Sequence, residues 1–207
     1  MNILKEIERL KQSQISEIIT NRIKEFEILG KKHEDEVFSE LCFCLMTANF
    51  SADKCIKIQK EMGRNILILP EKELAKELTR LGHRFPNARA NYISEARKCK
   101  SELFKIMNPD SKQMREWLVQ NIKGLGMKEA SHFLRNIGYK DLAIIDFHIM
   151  DLLAKESLIN KPKSKSLTKK QYLEIEKVLE NLGKEASLNL AELDLYLWYI
   201  ETGKILK

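Results

Sequence analysis

Apolar residues recur along this chain at three- and four-residue steps almost throughout, the pattern of helices with one face turned inward. Residues 3–29 place Ile3, Leu4, Ile7, Leu10, Ile15, Ile18, Ile19, Ile23 and Ile28 on such a stripe and read as one helical segment. Residues 34–48 are apolar nearly all round, as expected of a helix sunk in a core. Residues 52–62 predict another helix. Pro70 followed by Glu71 and Glu73 marks a helix start, because proline lacks an amide that the first turn would leave unpaired and acids there suit the helix dipole. Arg89–Lys105 predicts a helix with Tyr92, Ile93, Ala96 and Leu103 inward. Asn108-Pro109-Asp110-Ser111 predicts a turn and helix start, with a helix over 113–122 and the next over 127–137, stopped by Gly138. Asp146 stands before Phe147, Ile149, Met150, Leu152 and Leu153 and reads as an N-cap. Residues 160–169 predict a solvated loop, and helices over about 168–182 and 185–202 close the chain. The strand signal is a single short run, Ile66-Leu67-Ile68-Leu69, cut off by Pro70. The class is all-α.

Composition narrows the setting. The chain has 207 residues, enough for one large domain or two small lobes sharing a cleft. Hydrophobic residues make up 43%, so it should bury a core, yet no apolar run approaches the roughly 20 residues that cross a bilayer. The start, Met1-Asn-Ile-Leu-Lys-Glu-Ile-Glu-Arg9, is not a signal peptide, which predicts an intracellular protein with no membrane partner. A net charge of +6 leans weakly toward a polyanionic partner. Charged residues at 32%, dominated by Lys and Glu, suit either a thermophile or an AT-rich genome. Cys42, Cys44, Cys55 and Cys99 lack zinc or iron–sulfur spacing and read as free thiols, the first two in an apolar stretch.

The chemistry concentrates in Ile122-Lys-Gly-Leu-Gly-Met-Lys128, a helix-hairpin-helix pattern over about 113–138. Gly124 and Gly126 admit backbone angles closed to other residues and let phosphate oxygens approach the amides that open the following helix. Leu125 between them should tuck inward, and Lys123 and Lys128 rim the turn. An ordinary tight turn between core helices is the plainer alternative. The motif would hold a phosphate without reading a base.

Lys128 sits in the first turn of its helix, where dipole and partial burial both disfavour its charge and so favour the nucleophilic amine. Contact with a phosphate is its bland alternative. Asp146 lies between Leu142-Ala143-Ile144-Ile145 and an apolar helix. If it faced Lys128 across a cleft it could stabilise positive charge developing on a sugar; otherwise it is a structural cap. His148 could orient a phosphate or Asp146, or simply pack. Trp117 reads as core. Lys163, Lys165, Lys169 and Lys170 form a basic run, solvated or in salt-sensitive phosphate contact.

These residues resemble the helix-hairpin-helix DNA glycosylases. Leu45-Met-Thr-Ala-Asn-Phe-Ser-Ala-Asp-Lys54, Leu81-Gly-His-Arg-Phe-Pro-Asn-Ala-Arg89 and the ending Leu193-Asp-Leu-Tyr-Leu-Trp-Tyr-Ile-Glu-Thr-Gly-Lys-Ile-Leu-Lys207 narrow the resemblance to the archaeal-type 8-oxoguanine glycosylase/lyases, over essentially the whole chain. The resemblance implies that a damaged nucleotide is flipped from the duplex. It implies that Lys128 attacks C1′, that a Schiff base and β-elimination follow, and that Asp146 stabilises the developing charge. It implies double-stranded DNA containing oxidised guanine as partner, a monomer, a prokaryotic cytoplasm, archaeal in kind, near the nucleoid, and no redox cofactor. Relatives with an iron–sulfur cluster carry four cysteines near the C-terminus; here the last is Cys99, which argues against a cluster. A monovalent cation at the hairpin stays open. The proline often found before the aspartate is missing from Tyr139-Lys-Asp-Leu-Ala-Ile-Ile145.

The resemblance also implies that Asn49 fills the gap left by the flipped base, although it could merely cap the next helix. Arg84 and Phe85 would wedge into the duplex, although Phe85 could pack on Leu81. Trp198 would stack on a purine, and Lys207 or its carboxylate would read the N7–H that oxidation adds to guanine. Residues 203–207 would otherwise fray. The expected organisation is two helical lobes around a DNA-binding cleft, one spanning 33–140 and the other joining 1–32 to 141–207. An oxidised-pyrimidine glycosylase/lyase and a noncatalytic DNA-binding module remain as alternatives.

Overall fold

The structure, a computed structural model, describes residues 2–107, 110–162, 164 and 166–207. Asn108 and Pro109 of the predicted turn, and Lys163 and Lys165 of the basic run, lie outside them. Among the described residues every regular element is a helix: α1 (Ile3–Lys11), α2 (Gln14–Gly30), α3 (Glu34–Thr47), α4 (Ala52–Met62), α5 (Asn65–Ile68), α6 (Glu71–Arg80), α7 (Pro86–Lys98), α8 (Lys100–Ile106), α9 (Ser111–Asn121), α10 (Met127–Asn136), α11 (Phe147–Lys155), α12 (Lys169–Glu185) and α13 (Leu190–Thr202). The all-α class is what the periodicity predicts. No helix among the described residues is long and apolar enough to cross a membrane.

Two local expectations need correction, and the one weak strand signal resolves as helix. The stripe over 3–29 is two helices, because Ser13 turns extended and accepts the Ile15 N–H at 3.2 Å as an N-cap. Both halves face the same core, so the periodicity runs on across the break. The segment 89–105 likewise divides at Cys99, where α7 gives way to α8. The apolar run 66–69 is no strand. Its first residues form α5, whose carbonyls at Ile66 and Leu69 accept from the Arg97 guanidinium at 2.6 and 2.5 Å. A side chain from a distant helix thus satisfies the orphan carbonyls that end this short turn.

Two hydrophobic cores organise the helices. The first gathers residues between Val37 and Leu142, with the fully buried Leu41–Met46 stretch of α3 inside it. The second joins Ile3–Phe26 of α1 and α2 to residues between Ala143 and Leu197. Leu142 belongs to one and Ala143 to the other, so the chain changes core just before Asp146.

A polar seam secures that crossing. Arg115 of α9 makes a bidentate pair with Glu176 of α12 at 2.6 and 2.8 Å, their side chains 1% and 3% exposed. Arg115 also donates to Ser131 Oγ of α10 at 3.2 Å. Glu176 accepts the Ala143 N–H at 3.0 Å. Tyr172 Oη donates to the Ala143 carbonyl at 2.7 Å and accepts the Ile145 N–H at 3.3 Å. Side chains of α12 therefore hold the segment before Asp146, a job a proline could otherwise share.

Candidate active site

The hairpin closes where Ile122 and Leu125 anchor in the first core, 2% and 6% exposed, with the Leu125 N–H donating to the Ile122 carbonyl at 3.1 Å. Gly124 has φ +93°, and a Cβ there would stand 2.4 Å from the Tyr92 ring. It is required on both counts. Gly126 departs from the expectation: its φ of −96° is open to any residue. Its contribution is different. It is the N-cap of α10 and brings no side chain to cover the first-turn amides. Those amides and the helix dipole form an anion-attracting end. Lys123 rims it, exposed, with Nζ 3.1 Å from Asn91 Oδ1 and 5.8 Å from the Tyr92 ring centre.

Lys128 follows on the first turn of α10, its side chain 28% exposed. Its ion pair is with Glu129, Nζ to Oε1 2.9 Å, a partner that sequence reasoning missed. Asp146 caps α11, accepting the Ile149 N–H at 3.0 Å. Among the described residues no hydrogen bond or ion pair joins Lys128 to Asp146. Arg135 of α10 pairs instead with Asp194 of α13 at 2.5 Å. Burial pushes the Asp194 carboxyl up to about 6; Arg135 opposes the rise and the nearby charge of Asp146 adds to it. Two carboxylates therefore share one field beside α10.

The chain end is not frayed. After Gly203, left-handed at φ 70°, Lys204 pairs with Asp53 of α4 at 2.7 Å and Ile205 packs on the second core. Lys207 then reaches the first core. Its Nζ lies 2.7 Å from Glu40 Oε2, 2.5 Å from Gln59 Oε1 and 4.2 Å from the Phe43 ring centre. The His132 imidazole hydrogen-bonds the Lys207 main chain. Burial first, and then the charges of Arg135 and Lys128, hold that imidazole well below its usual value, so it donates as a neutral ring. His132 lies one helical turn beyond Lys128 on α10. The chain end is therefore placed beside the hairpin lysine.

Asn49 is exposed with φ 57°, a left-handed conformation that asparagine tolerates. It does not cap the next helix; Ser51 does, with the Lys54 N–H donating to its Oγ at 3.5 Å. Arg84 is exposed and stacks 4.9 Å over Phe85, which is half-buried. Two residues to which the sequence reading gave no role bind these loops together. The His83 ring meets the Met46 carbonyl at 3.0 Å through Nε2 and accepts the Phe85 N–H at 3.0 Å through Nδ1. Arg89 donates to the Ala48 carbonyl and lies 5.6 Å over the Phe85 ring. The expected gap-filling and wedging residues thus sit on one braced edge.

His148 bridges α11 and α13. It stacks on Phe147 with ring centres 3.9 Å apart and meets Trp198 edge-on at 5.2 Å. It is a packed histidine that positions an aromatic group. Phe147 remains 46% exposed. Trp117 is partly buried against the first core. Cys42, Cys44 and Cys55 are buried free thiols; burial pushes the thiols of Cys42 and Cys55 up to about 12, away from thiolate chemistry. No cluster of three or more His, Cys, Asp or Glu suited to a metal occurs among the described residues.

Comparison with known proteins gives this layout a lineage. A family model described as 8-oxoguanine DNA glycosylase matches residues 19–188. A protein of Korarchaeum cryptofilum named 8-oxoguanine DNA glycosylase/AP lyase is 51% identical, covering 100% of this chain and 98% of its own. The crystal structure of Methanocaldococcus jannaschii 8-oxoguanine glycosylase/lyase in complex with a 15mer DNA containing 8-oxoguanine matches at TM-score 0.93 with 50% identity, over 99% of both chains. That of the Thermotoga maritima 8-oxoguanine DNA glycosylase matches at TM-score 0.90 with 43% identity, over 99% of this chain and 98% of that one. An endonuclease III–DNA complex, only 17% identical, shares the fold at TM-score 0.57. Fold and hairpin together define a helix-hairpin-helix protein of the DNA glycosylase class. Within it, the chain belongs to the 8-oxoguanine DNA glycosylase family.

Proposed function

We propose that this protein is a bifunctional DNA glycosylase/AP lyase that excises 8-oxoguanine from double-stranded DNA and nicks the strand at the resulting site. The observation that carries the reading is Lys128, part-exposed on the first turn of a helix whose N-cap is a bare glycine, in a chain 50% identical over its full length to the Methanocaldococcus jannaschii protein named for this activity. The amides of the hairpin grip a backbone phosphate. Asn49, Arg84 and Phe85 enter the duplex and hold the kink. His148, through its contact with Trp198, fixes the indole against which the flipped base stacks.

Lys128, as the free amine, attacks C1′; the C1′–N9 bond breaks, the purine leaves with the proton that the attacking amine sheds, and the C1′–O4′ bond then opens with O4′ taking a proton from water. Asp146, held in place by the Ile149 N–H that its carboxylate accepts, stabilises the positive charge that develops on the sugar. The imine formed between Lys128 and the opened sugar acidifies C2′–H. Loss of that proton expels the 3′ phosphate. Every step uses groups of the chain, its substrate and water, with no redox cofactor. The placement of the cysteines, the last of them Cys99, supports a protein without an iron–sulfur cluster. The two hydrophobic cores support lobes at 33–140 and at 1–32 with 141–207, and the reading takes the protein to act as a monomer.

Borohydride trapping tests this. A duplex containing 8-oxoguanine should give a covalent protein–DNA adduct that Lys128→Gln abolishes. Binding without an adduct would leave only a DNA-binding module. An adduct with thymine glycol but none with 8-oxoguanine would make it an oxidised-pyrimidine enzyme.

A further inference from the structure

Glu40 is the anomaly of α3. It stands 2% exposed in a helix whose following six residues, Leu41–Met46, are wholly buried and apolar. Both its oxygens are engaged. Oε1 accepts from Asn136 Nδ2 at 2.7 Å, and Oε2 accepts from Lys207 Nζ at 2.7 Å and Gln59 Nε2 at 3.4 Å. Asn136 in turn accepts from Arg135 Nε at 3.0 Å, and Arg135 pairs with Asp194. The result is one buried chain of polar groups, Asp194–Arg135–Asn136–Glu40–Lys207, with two cations and two anions in balance. A buried charge pair is seldom the most stable filling for such a space; apolar residues of similar volume often do as well. What it provides is a fixed geometry.

That geometry concerns the last residue. The Lys207 ammonium is consumed by Glu40, Gln59 and the Phe43 face, leaving its donors committed within the protein. The groups of Lys207 left to face a ligand belong to its main-chain end, which His132 anchors one turn from Lys128. We propose that Glu40 is the specificity-determining positioning residue of this enzyme: with Gln59 and Phe43 it forms a socket for the Lys207 side chain and so sets the main-chain end of Lys207 where the base is read. This rests on the glycosylase reading above. Glu40 touches neither sugar nor base and acts through Lys207.

The test separates base release from sugar chemistry. Full-length wild type, Glu40→Gln, Gln59→Met, Lys207→Met and the Glu40→Gln/Lys207→Met double variant are compared in single-turnover release of 8-oxoguanine and in cleavage of a duplex with a preformed abasic site. The ratio of the two rates should fall at least tenfold in Glu40→Gln. It should fall about threefold in Gln59→Met, which removes an acceptor from Lys207 and a long donor from Glu40 but leaves the Glu40 charge in place, and serves if Glu40→Gln folds poorly. The double variant should be no worse than Lys207→Met alone. Parallel loss of both activities in Glu40→Gln, or multiplied losses in the double variant, would reduce Glu40 to a structural residue and overturn the proposal. Wild type that releases no 8-oxoguanine and yields no trapped adduct would instead overturn the glycosylase reading beneath it.

Discussion

Two buried arginine–carboxylate pairs fasten the hairpin helices α9 and α10 to the second core, and they differ in what lies at their ends. Arg115–Glu176 closes on itself: both side chains are all but inaccessible and their spare bonds go to Ser131 and the main chain of Ala143. Arg135–Asp194 stays open. One end lies in the field of Asp146, and the other continues through Asn136 and Glu40 to the part-exposed Lys207. Identical functional groups thus serve architecture in one place and, on the proposed mechanism, the alignment of the site in the other. Burial does not distinguish them; what each chain terminates in does.

The comparison can be broken by substitution. Glu176→Gln leaves Arg115 buried with a neutral partner and should cost about 3–5 kcal/mol in chemical denaturation, with activity per folded molecule only modestly lower. Asp194→Asn should cost less, about 1–3 kcal/mol, yet slow base release at least tenfold; a stability loss equal to that of Glu176→Gln with normal release would erase the distinction. Tyr172→Phe strands the Ile145 N–H, for about 1 kcal/mol of stability and a weaker hold on Asp146, readable as faster hydrogen exchange over 143–149.

The smallest expected effect is a pH slope. His132 is held neutral in the fold, beside Arg135, Lys128 and Lys207, while the unfolded chain takes up a proton near the ordinary value of 6.5. The unfolded state then binds more protons, so stability falls as pH drops below about 6.5, by at most about 1.4 kcal/mol per pH unit. Asp194 has the opposite sign. Its folded value is raised from 3.8 to about 6, so its contribution is present below 3.8 and is lost as pH rises toward 6. His132→Gln and Asp194→Asn should therefore tilt the stability-versus-pH curve in opposite directions between about pH 4 and 6. Parallel curves would show that neither group is perturbed by its surroundings.

Local features were legible in the residues themselves. Asp146 caps its helix, Leu125 turns inward, and Gly124 needs its backbone freedom, because each effect acts within a few positions of its cause. Helix breaks at Ser13 and Cys99 escaped notice because the apolar stripe continues across them onto one core. Glu129, His132, Glu40, His83 and Arg89 were missed for another reason. In a helix or a loop, an isolated polar residue looks like surface until a distant partner covers it. Glu40 did leave a trace, a lone charge at the head of an apolar run, and a reading that asked where its charge is neutralised could have found it.

Periodicity, caps and turn residues determined by themselves an all-helical chain with a glycine hairpin, a lysine at a helix start and an aspartate at the next. Only the tertiary structure decided that Lys128 rests against Glu129, that Asp146 shares its field with Asp194, and that the final lysine ends in a socket between α3 and α4. The division follows from range. Helix geometry and capping depend on neighbours in sequence, whereas a buried charge takes its partner from whatever helix the packing of two cores brings within about 3 Å.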